Sequence, residues 1–323
     1  MPVHHAKPHH VGKGFRNPYG STGKDWRDFL RWQAERRGQV IPAPQADLSV
    51  VEPELDFIGS GHSRLAATWI GHSTVLVQIA GMNILTDPVF SDRASLVPWS
   101  GPRRWQAPGL ALDQLPHIDL VLLSHNHYDH LDAASVKALA RQAGGAPLFA
   151  VPLGVEAWMA AAGIKSVQAL DWWDELMVGE VKLTFVPAQH WSGRTALDRN
   201  RTLWGGFVVE AVGRSVYFAG DTGYSPEFER IGRRFGEIDL ALIPIGSYLP
   251  RWFMAPQHVD PSEAVKIHRD VRARRSIGIH WGTFQLADDA LDAAPLELAA
   301  ARQAAGLSPR SFITLRHGQT LKL

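Results

Sequence analysis

Four side chains able to bind a metal fall within six residues, His125, His127, Asp129 and His130, in the run Ser124-His125-Asn126-His127-Tyr128-Asp129-His130-Leu131-Asp132. The run directly follows IDLVLLS (118–124), which reads as a buried strand. A tight loop at a strand end can aim His125 and His127 one way and Asp129 and His130 another, which suits two neighbouring cations. Three further ligand types stand where strands are expected to stop: His190 after VKLTFVP, Asp221 after SVYFAG and His280 after RSIGI. Open sheets gather their sites at that edge, and a carboxylate such as Asp221 can bridge two ions that imidazoles bind singly. The chain has no cysteine, and imidazole with carboxylate favours zinc, with iron and manganese as the alternatives.

The elements that must position these residues are short apolar runs bounded by Gly, Asn or Asp: ATWIGHSTVLVQIA, MNILTD, IDLVLLS, PLFAV, VKLTFVP, SVYFAG, IDLALIP and RSIGIH. Gly81 and Asn83 signal a hairpin. Asp132 is the expected N-cap of a helix reaching Arg141, and Asp260-Pro261-Ser262-Glu263 supplies an N-cap, a Pro at N1 and a Glu at N3 for another. The strands recur in one series before about residue 180 and one after it, so two central sheets with helices on their outer faces are expected. Residues 1–60, with scattered prolines and one amphipathic stretch from Asp25 to Arg37, are expected as an extension packing on a catalytic domain of residues 61–323. Histidines 4, 5, 9 and 10 lie in that extension, with no fixed geometry expected.

Hydrophobic residues make up 45% of the 323 and charged residues 20%, which places the chain among ordinary globular proteins. A formal charge of +1 argues against a broad nucleic-acid footprint. The start has no apolar stretch of signal-peptide type and no segment approaches the ~20 apolar residues of a membrane span, so a cytoplasmic protein is expected.

The pattern His-Xaa-His-Xaa-Asp-His, followed by an isolated His, an Asp and a last His, resembles the metallo-β-lactamase fold superfamily, an αβ/βα sandwich. The resemblance implies one zinc on His125, His127 and His190, another on Asp129, His130 and His280, and Asp221 as the bridge. Oxygen-reducing di-iron relatives carry a Glu at the second histidine of the motif; His127 leans toward a hydrolase. The segments GFRNPY, WIGHST, DPVFSDRAS, SHNHYDHLD, LDWWDE, PAQHW, AGDTGY, PIGSYLPRWFMAPQHVDPSEAV and IHWGTFQLAD are together similar to the family of phospholipases D that hydrolyse N-acylphosphatidylethanolamine. Leu131-Asp132 stands where commoner superfamily members have Gly, as in this phospholipase group.

That family implies hydrolysis of a phospholipid to an N-acylethanolamine and phosphatidate, with two zinc ions acidifying the attacking water and neutralising phosphoryl oxygens. Asp129, Asp221 and His258 are then the candidate catalytic residues, and Gln257 with His258 resembles the family's active-site Gln-His pair. Asp87 is placed to orient a ligand imidazole; its plainer reading is a turn-forming Asp before Pro88. For His258 the plainer reading is a residue leading into a helix. Trp99 and Arg103, in and beside the loop Leu96-Val97-Pro98-Trp99, are candidates for touching lipid. Peripheral association with the inner face of the membrane and a homodimer are further implications. Two alternatives stay open: a related hydrolase of a small soluble substrate, such as a lactone or cyclic phosphodiester, and a binding protein that keeps only the fold.

Overall fold

The apolar runs pair into two seven-stranded mixed sheets in a computed structural model that describes residues 7–20, 26–44 and 48–323. His4, His5 and Asp25 lie outside the described residues. A small hairpin, β1 (His10–Val11) and β2 (Gly14–Phe15), precedes helices α1 (Trp26–Arg36) and α2 (Leu55–Gly59). The first sheet contains β3 (Ala66–Gly71), β4 (Thr74–Ile79), β5 (Met82–Thr86), β6 (Leu120–Leu122), β7 (Leu148–Pro152) and β8 (Val167–Leu170). The second contains β9 (Glu175–Val178), β10 (Val181–Val186), β11 (Gly206–Ala211), β12 (Arg214–Phe218), β13 (Ile238–Pro244), β14 (Ala273–Ile279) and β15 (Phe312–Thr314).

Each sheet begins as an antiparallel meander, β3-β4-β5 and β9-β10-β11-β12, and continues in parallel as β5-β6-β7-β8 and β12-β13-β14-β15. Parallel neighbours need crossovers. Helices supply most of them: α3 (Ala133–Leu139), α4 (Val155–Ala161), α5 (Glu227–Phe235), α6 (Arg251–Met254), α7 (Pro261–Asp270) and α8 (Ala293–Ala304). Asp132 caps α3, accepting from the N–H of Ala134, and Asp260 with Glu263 forms a reciprocal capping box at α7. The αβ/βα sandwich expected from the sequence is the observed architecture.

Strand alternation sorts the core. In β3, β4 and β6, Trp69, Val75, Val77, Leu120 and Leu122 enter the layer between the sheets, whereas Ile70, Leu76, Val121 and Leu123 pack outward with Val136, Leu139, Val155 and Met159 of α3 and α4. Apolar residues on both faces are what a sheet covered on both sides requires.

Two features differ from the sequence expectation. The run ATWIGHSTVLVQIA is not one strand; it breaks at His72-Ser73 into β3 and β4, with His72 in the left-handed region at φ 53°. The division into an early and a late strand series also fails at the end of the chain. There β16 (Thr320–Lys322) returns to the first sheet and pairs antiparallel with β3, across a separation of 252 residues between Thr68 and Thr320.

Candidate metal centre

The sheets deliver the candidate ligands from the ends of four strands to one point. His125, His127, Asp129 and His130 follow β6; His190, Asp221 and His280 follow β10, β12 and β14. The β6 loop turns tightly because the N–H groups of His130 and Leu131 both donate to the carbonyl of His127. Arg194 secures it, its Nη1 donating to the carbonyls of Asn126 and Leu131 at 2.8 Å each, with its guanidinium 4.0 Å over the Tyr128 ring. Gly220 lets the backbone close onto this loop before Asp221: at φ 63°, an added Cβ would lie 2.7 Å from the carbonyl oxygen of Gly205 and from Cβ of Ser124.

Two groups of ligand atoms result. His125 Nε2 lies 2.8 Å and His190 Nε2 3.3 Å from His127 Nδ1. Asp129 Oδ2 lies 3.3 Å from His130 Nε2 and 3.5 Å from His280 Nε2. Asp221 Oδ2 stands between the groups, 3.1 Å from His130 Nε2, 3.2 Å from His280 Nε2 and 3.9 Å from His190 Nε2.

The imidazoles are oriented from behind. His130 Nδ1 faces Asp87 Oδ2 at 2.6 Å and His190 Nδ1 faces the carbonyl of Gln257 at 2.9 Å. Both partners only accept, so a proton sits on Nδ1 and Nε2 is the atom turned inward. His125 Nδ1 is 2.8 Å from Ser124 Oγ, which itself donates to Asp87. Nε2 of His130 and His280, which face the carboxylates, are buried without a hydrogen-bond partner, and so are Nε2 of His127 and Oδ1 of Asp221, the far atoms of two other candidate ligands. Buried polar atoms are ordinarily satisfied, and these nitrogen and oxygen donors fit divalent cations.

Charge is concentrated to match. Burial pushes the imidazoles of His125 and His190 well below the usual range, and those of His127 and His258 down to about 4. Burial would do the same to His130 and His280, but Asp221 and Asp129 outweigh it, raising His130 well above its ordinary value and His280 to about 9. Against the opposing effect of burial, those same imidazoles hold Asp129 and Asp221 well below the usual carboxylate range. The carboxylates thus favour positive charge beside them. A second cluster, His9, His10 and Asp171, differs: both Nε2 atoms and Lys7 Nζ already engage the Asp171 carboxylate at 2.7–3.1 Å.

A cavity of about 590 Å³ opens over the centre. His127, Asp129, Asp221, Gln257 and His258 form its polar floor, and Trp26, Phe29 and Trp32 of α1, with Phe253, Met254 and Leu286, form an apolar wall. His258 Nδ1 is 3.9 Å from Asp221 and has no hydrogen-bond partner. Trp99 and Arg103 do not line this cavity; Trp99 is 76% exposed, and the Arg103 backbone bridges to Arg93. Sequence reasoning missed Arg199, which lines the cavity with its guanidinium 4.3 Å over Trp191, the α1 wall, and His72, whose Nε2 is 3.1 Å from Asp129 Oδ2. The histidine in WIGHST was the available signal for His72; α1 and Arg199 lie far from the motif in sequence and carry none.

Strained backbone gathers here too: besides His72, the non-glycine residues Asp87, Ser247 and His280 have φ of 30°, 63° and 62°. Such conformations cluster at functional sites.

The beta-lactamase superfamily domain matches residues 82–281. The chain is 39% identical to N-acyl-phosphatidylethanolamine-hydrolyzing phospholipase D 1 of Caenorhabditis elegans, over 97% of this chain and 94% of that protein. It is 31% identical to a metal-dependent hydrolase of Anaeromyxobacter, over 75% of this chain and 82% of the relative. The fold is similar to that of a metallo hydrolase from Ignicoccus hospitalis, with a TM-score of 0.62 at 22% identity, covering 80% of this chain and 98% of the other. The chain therefore belongs to the beta-lactamase superfamily and, within it, is an enzyme of the family of N-acyl-phosphatidylethanolamine-hydrolysing phospholipases D.

Proposed function

We propose that the chain hydrolyses N-acylphosphatidylethanolamine-like phospholipids with two zinc ions, held by His125, His127 and His190 and by Asp129, His130 and His280, with Asp221 between them. The reading is carried by one observation: a centre with orphaned ligand atoms forms the floor of a cavity whose wall is apolar. When bound, the cations supply neutralisation of phosphoryl oxygens and a water acidified toward neutrality. The water oxygen forms the new bond to phosphorus, the bond to the ethanolamide oxygen breaks, and that oxygen takes up a proton to leave N-acylethanolamine and phosphatidate. His258 and Gln257 contact the phosphodiester from the floor, Arg199 offers a cation to its charge, and the α1 wall takes apolar chain.

The proposal extends to organisation. Residues 61–323 form the catalytic domain, and α1 of the extension walls its cavity. The chain works at a lipid surface on the cytoplasmic side, as a homodimer. No helix among the described residues is long and apolar enough to cross a membrane. Exposed Trp26 and Phe29 at the cavity and exposed Leu96 and Trp99 on the neighbouring loop support contact with lipid. The test is mass-spectrometric product identification after incubation of zinc-loaded protein with vesicles containing N-acylphosphatidylethanolamine, beside soluble bis(p-nitrophenyl) phosphate. N-Acylethanolamine and phosphatidate are expected; turnover of the soluble ester alone overturns the lipid assignment.

A further inference from the structure

The turn between β3 and β4 reaches into one of the two ligand groups and not the other. His72, at its apex, is fully buried and touches two candidate ligands of the same group by different routes. Its Nε2 is 3.1 Å from Asp129 Oδ2, the oxygen that also faces His130 Nε2 and His280 Nε2. Its carbonyl accepts the N–H of His280 at 3.0 Å, and its ring lies 4.0 Å from the His280 ring. The turn itself is pinned, with His72 N–H donating to Thr283 Oγ1 at 2.7 Å and Trp69 Nε1 donating to the His72 carbonyl at 2.9 Å.

We propose that His72 is a positioning residue for the cation held by Asp129, His130 and His280: it donates Nε2–H to Asp129 and anchors the backbone of His280, so that the two ligands are set as a unit. Asp129 as a carboxylate only accepts, so the proton of the neutral ring is on Nε2, which then cannot itself ligate. Nδ1 is left bare and, in accord with that tautomer, has no partner. The consequence is asymmetry, because His125, His127 and His190 have no counterpart of this turn among the described residues.

This inference rests on the two-cation reading. It is tested by titrating metal-free protein with Co²⁺, reading stoichiometry and the visible absorption of each bound ion. His72→Leu is expected to weaken one of two ions by about 10–100-fold, the range for loss of a residue that orients a metal ligand, while the other ion keeps its affinity and reports a folded chain. His72→Gln places an amide N–H within the same reach under the same backbone strain and is expected to restore most of the loss. Two ions of unchanged affinity in His72→Leu overturn the proposal, as does equal loss in both variants, which direct ligation by His72 predicts. Loss of both ions together in His72→Leu also overturns it. A parent chain that binds a single ion overturns the two-cation reading instead, and this inference with it.

Discussion

Replacing Asp87 by Asn separates its two readings. A turn-forming residue at φ 30° is tolerated as Asn, which adopts such conformations readily. An acceptor for His130 is not. Asp87 is fully buried and receives Ser124 N–H at 2.7 Å, Ser124 O–H at 2.5 Å and His130 Nδ1–H at 2.6 Å. Asn keeps one oxygen for the Ser124 amide, and the Ser124 hydroxyl can rotate to accept. The new NH₂ then faces His130 Nδ1, which must accept, moving the ring proton to Nε2, the atom 3.1 Å from Asp221. The expected result is a metal affinity about 10–100-fold lower at that group, or about 1.4–2.8 kcal/mol. Competition with a chromophoric chelator measures the affinity, and thermal melts of metal-free protein check that the fold survives. Unchanged affinity for both ions in a folded Asn variant refutes the orienting role and leaves the turn.

Asp221→Asn is expected to lower bound metal, measured by elemental analysis, and to abolish phosphodiester hydrolysis; full activity would remove Asp221 from the centre. Gly220→Ala forces a Cβ to 2.7 Å from backbone at positive φ, so a melt should register a loss of about 1–3 kcal/mol, and an unchanged melting temperature would show that the approach relaxes freely. His268, against Ser276, and His317, against the Ala107 carbonyl, are each lowered by burial to about 4. Their folded values lie below the unfolded 6.5, so their contribution is present above pH 6.5 and is lost as pH falls toward 4, by about 3 kcal/mol each. Denaturant unfolding of His268→Gln and His317→Gln should show flatter stability profiles across that window than the parent, and equal slopes would contradict the burial effect.

Local chemistry was legible in the sequence and long-range assembly was not. The β6 loop could be read because its candidate ligands sit within six residues, and Asp132 and Asp260 because a cap is a short-range signal. Gln257 lines the cavity and has a further contact that its side chain does not announce. The Gln-His pair drew attention to its amide, yet the contact to His190 is its backbone carbonyl, which any residue carries. Likewise α1 looked like an amphipathic helix lying on the surface. Its role as a cavity wall depends on Trp32 stacking on Phe253 at 4.9 Å and donating to Asp288, contacts more than 200 residues away. Trp99 and Arg103 were selected as a loop Trp beside an Arg that could touch lipid, and the fold sets them outside the cavity.

The return of β16 to β3 has a temporal side. On a ribosome, residues 66–71 emerge long before 320–322, and the intervening chain must be made before the pair can close. Closing so long a loop is entropically costly, and segments that wait for distant partners expose an unpaired edge meanwhile. The late segment also carries His317, packed against Gly71, and Gly318, whose N–H donates to the carbonyl of Trp69. The hairpin bearing His72 is therefore braced by residues made some 252 positions after it. A nascent chain truncated before residue 315 should hold the His125, His127 and His190 group better than the other, making synthesis of this later segment a checkpoint for loading the centre.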